Sequence, residues 1–113
     1  MFAYKTVVAP TTAAVNSPVE VLTTTNDLMP EAAQSVVIQA SALGIGETVT
    51  VWEGKGDTPI WEQVRVWPTG TAVVVTNESG SVCLEGRGVR YGITKSATAA
   101  AVGVYAVIQY EPR

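Results

Sequence analysis

The stretch Glu47-Thr48-Val49-Thr50-Val51-Trp52-Glu53, followed by Gly54-Lys55-Gly56-Asp57-Thr58-Pro59 and Ile60-Trp61-Glu62-Gln63-Val64-Arg65-Val66-Trp67, decides the fold class of this chain. Its two apolar runs alternate at period two, the spacing that sends successive side chains to opposite faces of a strand. The break between them is rich in Gly, Asp and Pro, the residues that supply positive φ, Asx turns and fixed φ. The segment therefore reads as a β-hairpin. Val49 and Val51 share one face, while Thr48, Thr50 and Trp52 share the other. On the second strand Ile60, Val64 and Val66 fall together, with Glu62 as the misfit, and Trp61, Gln63, Arg65 and Trp67 fall opposite.

Outward from the hairpin the same wording recurs. Strands are predicted at Val19–Thr23, Gln34–Ser41, Glu47–Glu53, Ile60–Trp67, Thr71–Thr76, Ser81–Glu85, Gly88–Lys95 and Val102–Tyr110. Between them stand turn signals: Met29-Pro30, Gly44-Ile45-Gly46, Trp67-Pro68-Thr69-Gly70 and Asn77-Glu78-Ser79-Gly80. Trp67–Gly70 has the residue order of a type I turn. The one helical turn that the sequence suggests is at Pro30-Glu31-Ala32-Ala33. Composition agrees: 19 Val, 14 Thr and 5 Ile stand against 4 Leu, and β-branched residues favour the pleated surface. The expected fold is all-β, an antiparallel β-sandwich or jelly roll of about eight strands. The 113 residues allow one domain. The division expected is an extended N-terminal arm over 1–18, with one strand at Phe2–Val8 and anchors at Phe2 and Tyr4, and a single β-sandwich domain over 19–113. Val102–Tyr110 is apolar on both faces and is expected to be a central strand.

Composition also excludes chemistry. The chain has no His, one Cys and two Asp, Asp27 and Asp57. No Ser-His-Asp triad can be assembled, no zinc ligand set is present, and no Asp-rich calcium loop exists. Glu53 and Glu62 could face each other across the hairpin as a glycosidase pair would, but two surface glutamates are the simpler reading. Gly86-Arg87-Gly88-Val89-Arg90-Tyr91-Gly92 misses the dinucleotide fingerprint by one residue and has no helix after it. No catalytic, metal or cofactor-binding residue is assigned, and the expectation is a protein that is not an enzyme. A small-molecule ligand is not expected.

A net charge of −3 argues against nucleic acid as partner, since phosphate neutralisation needs a basic face. The densest basic stretch, Arg87, Arg90 and Lys95, reads as a solvated strand edge. Cys83 reads as a small core hydrophobe. The N-terminus does not have the pattern of a signal peptide, and no apolar run is long enough to span a bilayer as a helix. Charged residues make up only 15% of the chain, below the ~25% usual for soluble domains. Such a surface suits coverage by another protein. The three tryptophans point the same way, because they share strand faces with Thr, Gln and Arg. Burying that face would strand Arg65 and Gln63. Trp52, Trp61, Arg65 and Trp67, with Phe2 and Tyr4 of the arm, are the candidate protein-interface residues. A bulge near Gly54 or Pro59 would shift the register and return one or two tryptophans to the core.

Size, the arm Met1–Pro18, the Val/Thr-rich body Val19–Tyr110 and phrases such as Leu43-Gly44-Ile45-Gly46-Glu47-Thr48-Val49 and Ile60-Trp61-Glu62-Gln63-Val64 together resemble the small bacteriophage capsid-decoration (cement) proteins. That resemblance implies a homo-oligomer, dimer or trimer, made in the host cytoplasm and seated on the outer surface of the virion against the major capsid protein. Its arm would contribute to binding, so that loss of Met1–Ala9 weakens attachment without unfolding the body. Two other readings stand beside it: a head-fibre, tail or baseplate component, and a carbohydrate-binding β-sandwich module.

Overall fold

The computed structural model describes residues 2–22, 33–55, 60–66, 68–85 and 90–110, with no helix among them. Eleven strands form, all paired antiparallel: β1 (Phe2–Thr11), β2 (Val15–Leu22), β3 (Ala33–Ala40), β4 (Val49–Lys55), β5 (Ile60–Gln63), β6 (Arg65–Val66), β7 (Thr71–Ala72), β8 (Val74–Val75), β9 (Ser81–Glu85), β10 (Arg90–Lys95) and β11 (Val102–Tyr110). One sheet has the order β1-β11-β3-β9. The other has the order β2-β10-β4-β5, with β8 also on β4, and β6 and β7 form a separate ribbon. The helical turn expected at Pro30–Ala33 lies outside the described residues except for Ala33, which begins β3.

Matching the two orders shows how the chain is laid. β1 continues into β2, β10 into β11, β3 into β4 and β8 into β9, and each pair stands at the same rank in its own sheet. Four long segments therefore run through one sheet, turn a corner and run through the other, so that the sheets curl into a half-barrel. The core fills the concave side. Val36, Ile38, Leu84, Val104 and Ala106 come from the first sheet, and Val49, Val51, Val75, Tyr91 and Ile93 from the second. These are the inward rows that alternation selects. Each buried Val or Ile side chain contributes roughly 1.5–3 kcal/mol.

The corners are polar, and their bonds continue the ladder around the bend. Ser41 N–H donates to Gly103 O (3.0 Å) while Gly103 N–H donates to Ser41 Oγ (2.9 Å). Ser96 N–H donates to Thr48 O (2.9 Å), and Thr48 N–H to Ser96 Oγ (2.9 Å). Lys95 is only 3% exposed. Its ammonium donates to Ala13 O (3.0 Å), Ser96 O (3.2 Å) and Thr98 Oγ1 (3.3 Å). All three of its protons therefore have acceptors, which is what makes a buried lysine tolerable. The expectation of a solvated edge is thus corrected for Lys95. The sequence places it on the inward row of β10 with Tyr91 and Ile93, and the corner supplies carbonyls there. Arg87 lies outside the described residues.

Glu47 is the second member of the corner. It was expected to open a strand, but the strand begins at Val49 because residues 44–47 form a turn. Glu47 N–H donates to Gly44 O (3.2 Å), and Gly46 has φ 79°, as the third residue of a type II turn requires. The Glu47 carboxylate accepts from Gly44 N–H (2.6 Å) and from Ala99 N–H (2.7 Å) on the facing corner. Those two bonds, the Gly44 one first, and the charge of Lys95 outweigh desolvation and hold its carboxyl below the ordinary 4.5.

Other departures follow from local geometry. The segment expected as one strand at Ile60–Trp67 is two, β5 and β6, and Thr71–Thr76 is likewise β7 and β8. Val64 N–H donates to Val51 O (3.0 Å), Val73 N–H to Val64 O (2.7 Å) and Val51 N–H to Val73 O (3.1 Å). Val64 and Val73 thus close the row beside β4, and the β6–β7 ribbon leaves the sheet between them. With β1 added, these splits account for eleven strands instead of about eight. Where the ribbon turns, Gly70 (φ 75°) N–H donates to Val66 O (2.7 Å).

The arm expected over residues 1–18 runs as β1 and the first half of β2. β1 pairs with β11 from Phe2↔Gln109 to Thr11↔Val102, and Val7 and Val8 pack against the core. Removing Met1–Ala9 would uncover the β11 edge that β1 pairs with. β11 is central, between β1 and β3, as its two apolar faces require. Cys83 is exposed, not a core residue. Val82 and Leu84 take the inward row opposite Ile38 and Val36, and parity sends Cys83 outward beside Val37.

Candidate binding face

The outward row of β4 and β5 is where the sequence placed its tryptophans. Cross-strand partners point to the same face in an antiparallel pair. Trp52 stands opposite Gln63 on β5 and Gly92 on β10, and Trp61 stands opposite Gly54. No bulge interrupts β4–β5, so the register shift that would return these rings to the core does not occur. Trp52 and Trp61 are both half-buried on the outward side of the sheet. The Trp52 indole N–H donates to Thr94 Oγ1 (2.9 Å), fixing that ring across β10.

Trp61 is seated on glycine. Gly54 opposite it has no side chain, and a Cβ built on Gly92 would lie 2.9 Å from Trp61 Cζ3 and 3.1 Å from Cη2. The ring therefore crosses β4 and covers the backbone of β10. An aromatic laid over strand glycines replaces the packing that they lack. Glycine at 54 and 92, like tryptophan at 61, is part of how this face is built.

Arg65 ties the face to the projecting ribbon. Its guanidinium donates to Gly70 O (2.8 Å) and to Gln63 Oε1 (3.1 Å), so it braces the loop and orients the Gln63 amide. Beside it opens a shallow cleft of about 560 Å³ lined by Trp52, Glu53, Glu62, Gln63, Val64 and Arg65. Glu53 and Glu62 are register partners across the hairpin, as the sequence allowed. Ile60 at the start of β5 (73% exposed) and Val66 at the end of β6 are exposed apolar residues. Alternation sends Glu53 and Glu62 to the other side of the sheet from Trp52 and Gln63, so the outward face itself presents indole, amide and guanidinium groups.

The other candidates stand elsewhere. Phe2 and Tyr4 lie on β1 of the opposite sheet, at register positions facing Gln109 and Val107. The structure does not bring them to the tryptophan face. Trp67 lies outside the described residues. Among the described residues no three His, Cys, Asp or Glu side chains come together as a metal site would require, and no helix is long and apolar enough to cross a membrane. Sequence reading missed Lys95 and Glu47, whose roles depend on corner carbonyls and amides that only the fold brings near. It also missed Ile45, 94% exposed at the tip of the 44–47 turn.

No family model matches the chain, and no curated protein matches it in sequence. In fold it is similar to the SPBc2 prophage-derived protein YomS, whose crystal structure aligns with a TM-score of 0.62 at 8% sequence identity, over 96% of this chain and 92% of that one. The likeness extends over nearly the whole of both chains, and what it establishes is a shared all-β architecture.

Proposed function

We propose that this chain is a non-enzymatic structural protein of a bacteriophage virion, a capsid-decoration (cement) protein of the β-sandwich type, seated on the outer shell against the major capsid protein. The observation that carries this reading is the fold shared end to end with a prophage-derived protein. The face built from Trp52, Trp61, Gln63 and Arg65 supports it, since Trp and Arg with a polar surround are the residue types of interface hot spots. The low charge supports it too, and the net charge of −3 fits a protein partner better than nucleic acid. The mechanism is passive: many copies each make modest contacts, and repetition over the lattice multiplies their effect.

Mixing the purified protein with undecorated shells tests the reading. Binding that saturates and raises the temperature at which shells disrupt is expected. Trp52→Ala should weaken binding about tenfold or more, the loss typical of one hot-spot ring. Shells that neither bind the protein nor gain heat resistance would exclude a cement role. A fibre, tail or baseplate component would then be sought by its position in the particle. A second reading, a carbohydrate-binding module, is favoured by the outward face, where the Trp52 indole stands opposite the Gln63 amide. It predicts quenching of tryptophan fluorescence by oligosaccharides, whereas the cement reading predicts quenching only on assembly.

A further inference from the structure

The curled sheet has two long margins, and they are finished differently. On one, β1 carries Pro10 and β2 carries Pro18. Both pairings on that margin slip register, at Thr6/Val8 and Val8/Thr11 in one sheet and at Tyr91/Gly92 and Ile93/Lys95 in the other. Proline removes a donor and a slip bends the strand, and both discourage another chain from adding there. On the other margin the row beside β4 is interrupted where the β6–β7 ribbon leaves. β9 lacks the proline and the slips of that first margin and is not interrupted. Ser81–Glu85 contains neither Pro nor Lys, pairs with β3 without a slip from Ser35↔Glu85 to Gln39↔Ser81, and ends its sheet among the described residues.

The ladder says which groups face the open side. Ala40 N–H donates to Gly80 O (3.2 Å). Hydrogen-bonded pairs alternate along an antiparallel ladder, so Ile38/Val82 and Val36/Leu84 are also bonded pairs. The N–H and C=O groups of Ser81, Cys83 and Glu85 therefore point away from β3.

We propose that β9 is a self-association edge, at which two copies of this chain pair antiparallel about a two-fold axis centred on Cys83. In that register Ser81 stands opposite Glu85 of the second copy, Val82 opposite Leu84, and Cys83 opposite Cys83. Apolar residues meet on the core side, Val82 opposite Leu84. An axis centred on Glu85 would instead set like charges directly opposite, which is destabilising. The pairing joins two four-stranded sheets into one continuous eight-stranded surface. Main-chain bonds each contribute modestly in water, so the dimer is weak and its population rises with concentration. The inference stands on strand geometry alone, and shells that fail to bind the protein would leave it intact.

Light scattering and oxidative crosslinking of the full-length protein test it. A dimer whose fraction grows through the micromolar range is expected, with a disulfide forming through Cys83, because facing Cα atoms in a bonded pair lie about 5.5 Å apart, within disulfide reach. The register has its own check. A Ser81→Cys/Cys83→Ser protein should not crosslink with itself, its two sulfur-bearing positions being about 14 Å apart along the strands. It should crosslink with a Glu85→Cys/Cys83→Ser protein. Cys83→Ser should keep the dimer. Cys83→Pro removes an outward N–H without touching the β3 ladder and should raise the dissociation constant about tenfold. If Cys83→Pro fails to fold, the 81/85 crosslink decides. A protein monomeric at every concentration overturns the proposal. So does an oligomer that lacks the 83/83 and 81/85 crosslinks or that survives Cys83→Pro unchanged.

Discussion

At the scale of single residues the convex face depends on what is missing at two positions. Gly92 and Gly54 leave a trough that the Trp61 ring fills, and Val19 O lies 3.2 Å from where a Gly92 Cβ would be. Gly92→Ala should therefore displace the ring and destabilise the protein by about 1–3 kcal/mol, the range for overpacking a fitted site. Trp61→Ala should cost about 1–2 kcal/mol in lost apolar burial. The double variant should cost less than the sum, since removing the ring relieves the clash with the indole. Denaturant midpoints of the four proteins measure this directly, and strict additivity would mean that the ring and the glycine do not meet. The tryptophans' side of the sheet was legible in sequence, because alternation alone sets Trp52 and Trp61 beside Thr, Gln and Arg. The glycines' part in it was not, since Trp61 and Gly92 are far apart in sequence and β4 lies between their strands. Cys83 is the opposite case: lone cysteines are usually buried, but parity between Val82 and Leu84 sends this one outward.

At the scale of elements the corners carry the argument. Turn residues between strands were legible at Gly44-Ile45-Gly46 and at Asn77–Gly80, where Gly80 N–H donates to Thr76 O (2.9 Å). That these turns swing each strand into a second sheet was not legible. A corner and a hairpin use the same residues, and only strand order tells them apart. Glu47 illustrates the consequence, because its carboxylate joins two corners through Gly44 and Ala99 amides. A carboxyl held below its ordinary value in the folded state stabilises fully above that value and loses the contribution as pH falls through the depressed one. Melting temperature should therefore fall on acidification below about pH 4.5. Glu47→Gln should be less stable than the parent at neutral pH and should show a shallower acid dependence. Thermal melts across the acid range check this, and parallel curves for the two proteins would count against the role given to Glu47. The N-terminal strand belongs to the same scale. Its few charges and its Phe2 and Tyr4 suggested a segment that must lie on something, and in the structure it lies on β11.

At the scale of the whole molecule, composition was informative in an indirect way. The abundant Val and Thr of the chain build a curled sheet with outward aromatic rings on one side. The all-β class and the antiparallel pairing were legible because period-two alternation recurs along the chain. The half-barrel arrangement was not, since it depends on pairing β1 with β11 and β2 with β10 across most of the sequence. The end-to-end likeness to a prophage-derived protein establishes the shared all-β architecture, and the assembly role proposed above is a claim about the particle. The most direct test is whether the protein co-purifies with intact particles, and in what copy number. Quantitative mass spectrometry of purified virions should find it in a fixed, large ratio to the major capsid protein, as lattice coverage demands. Its absence from particles, or a handful of copies per particle, would contradict the account.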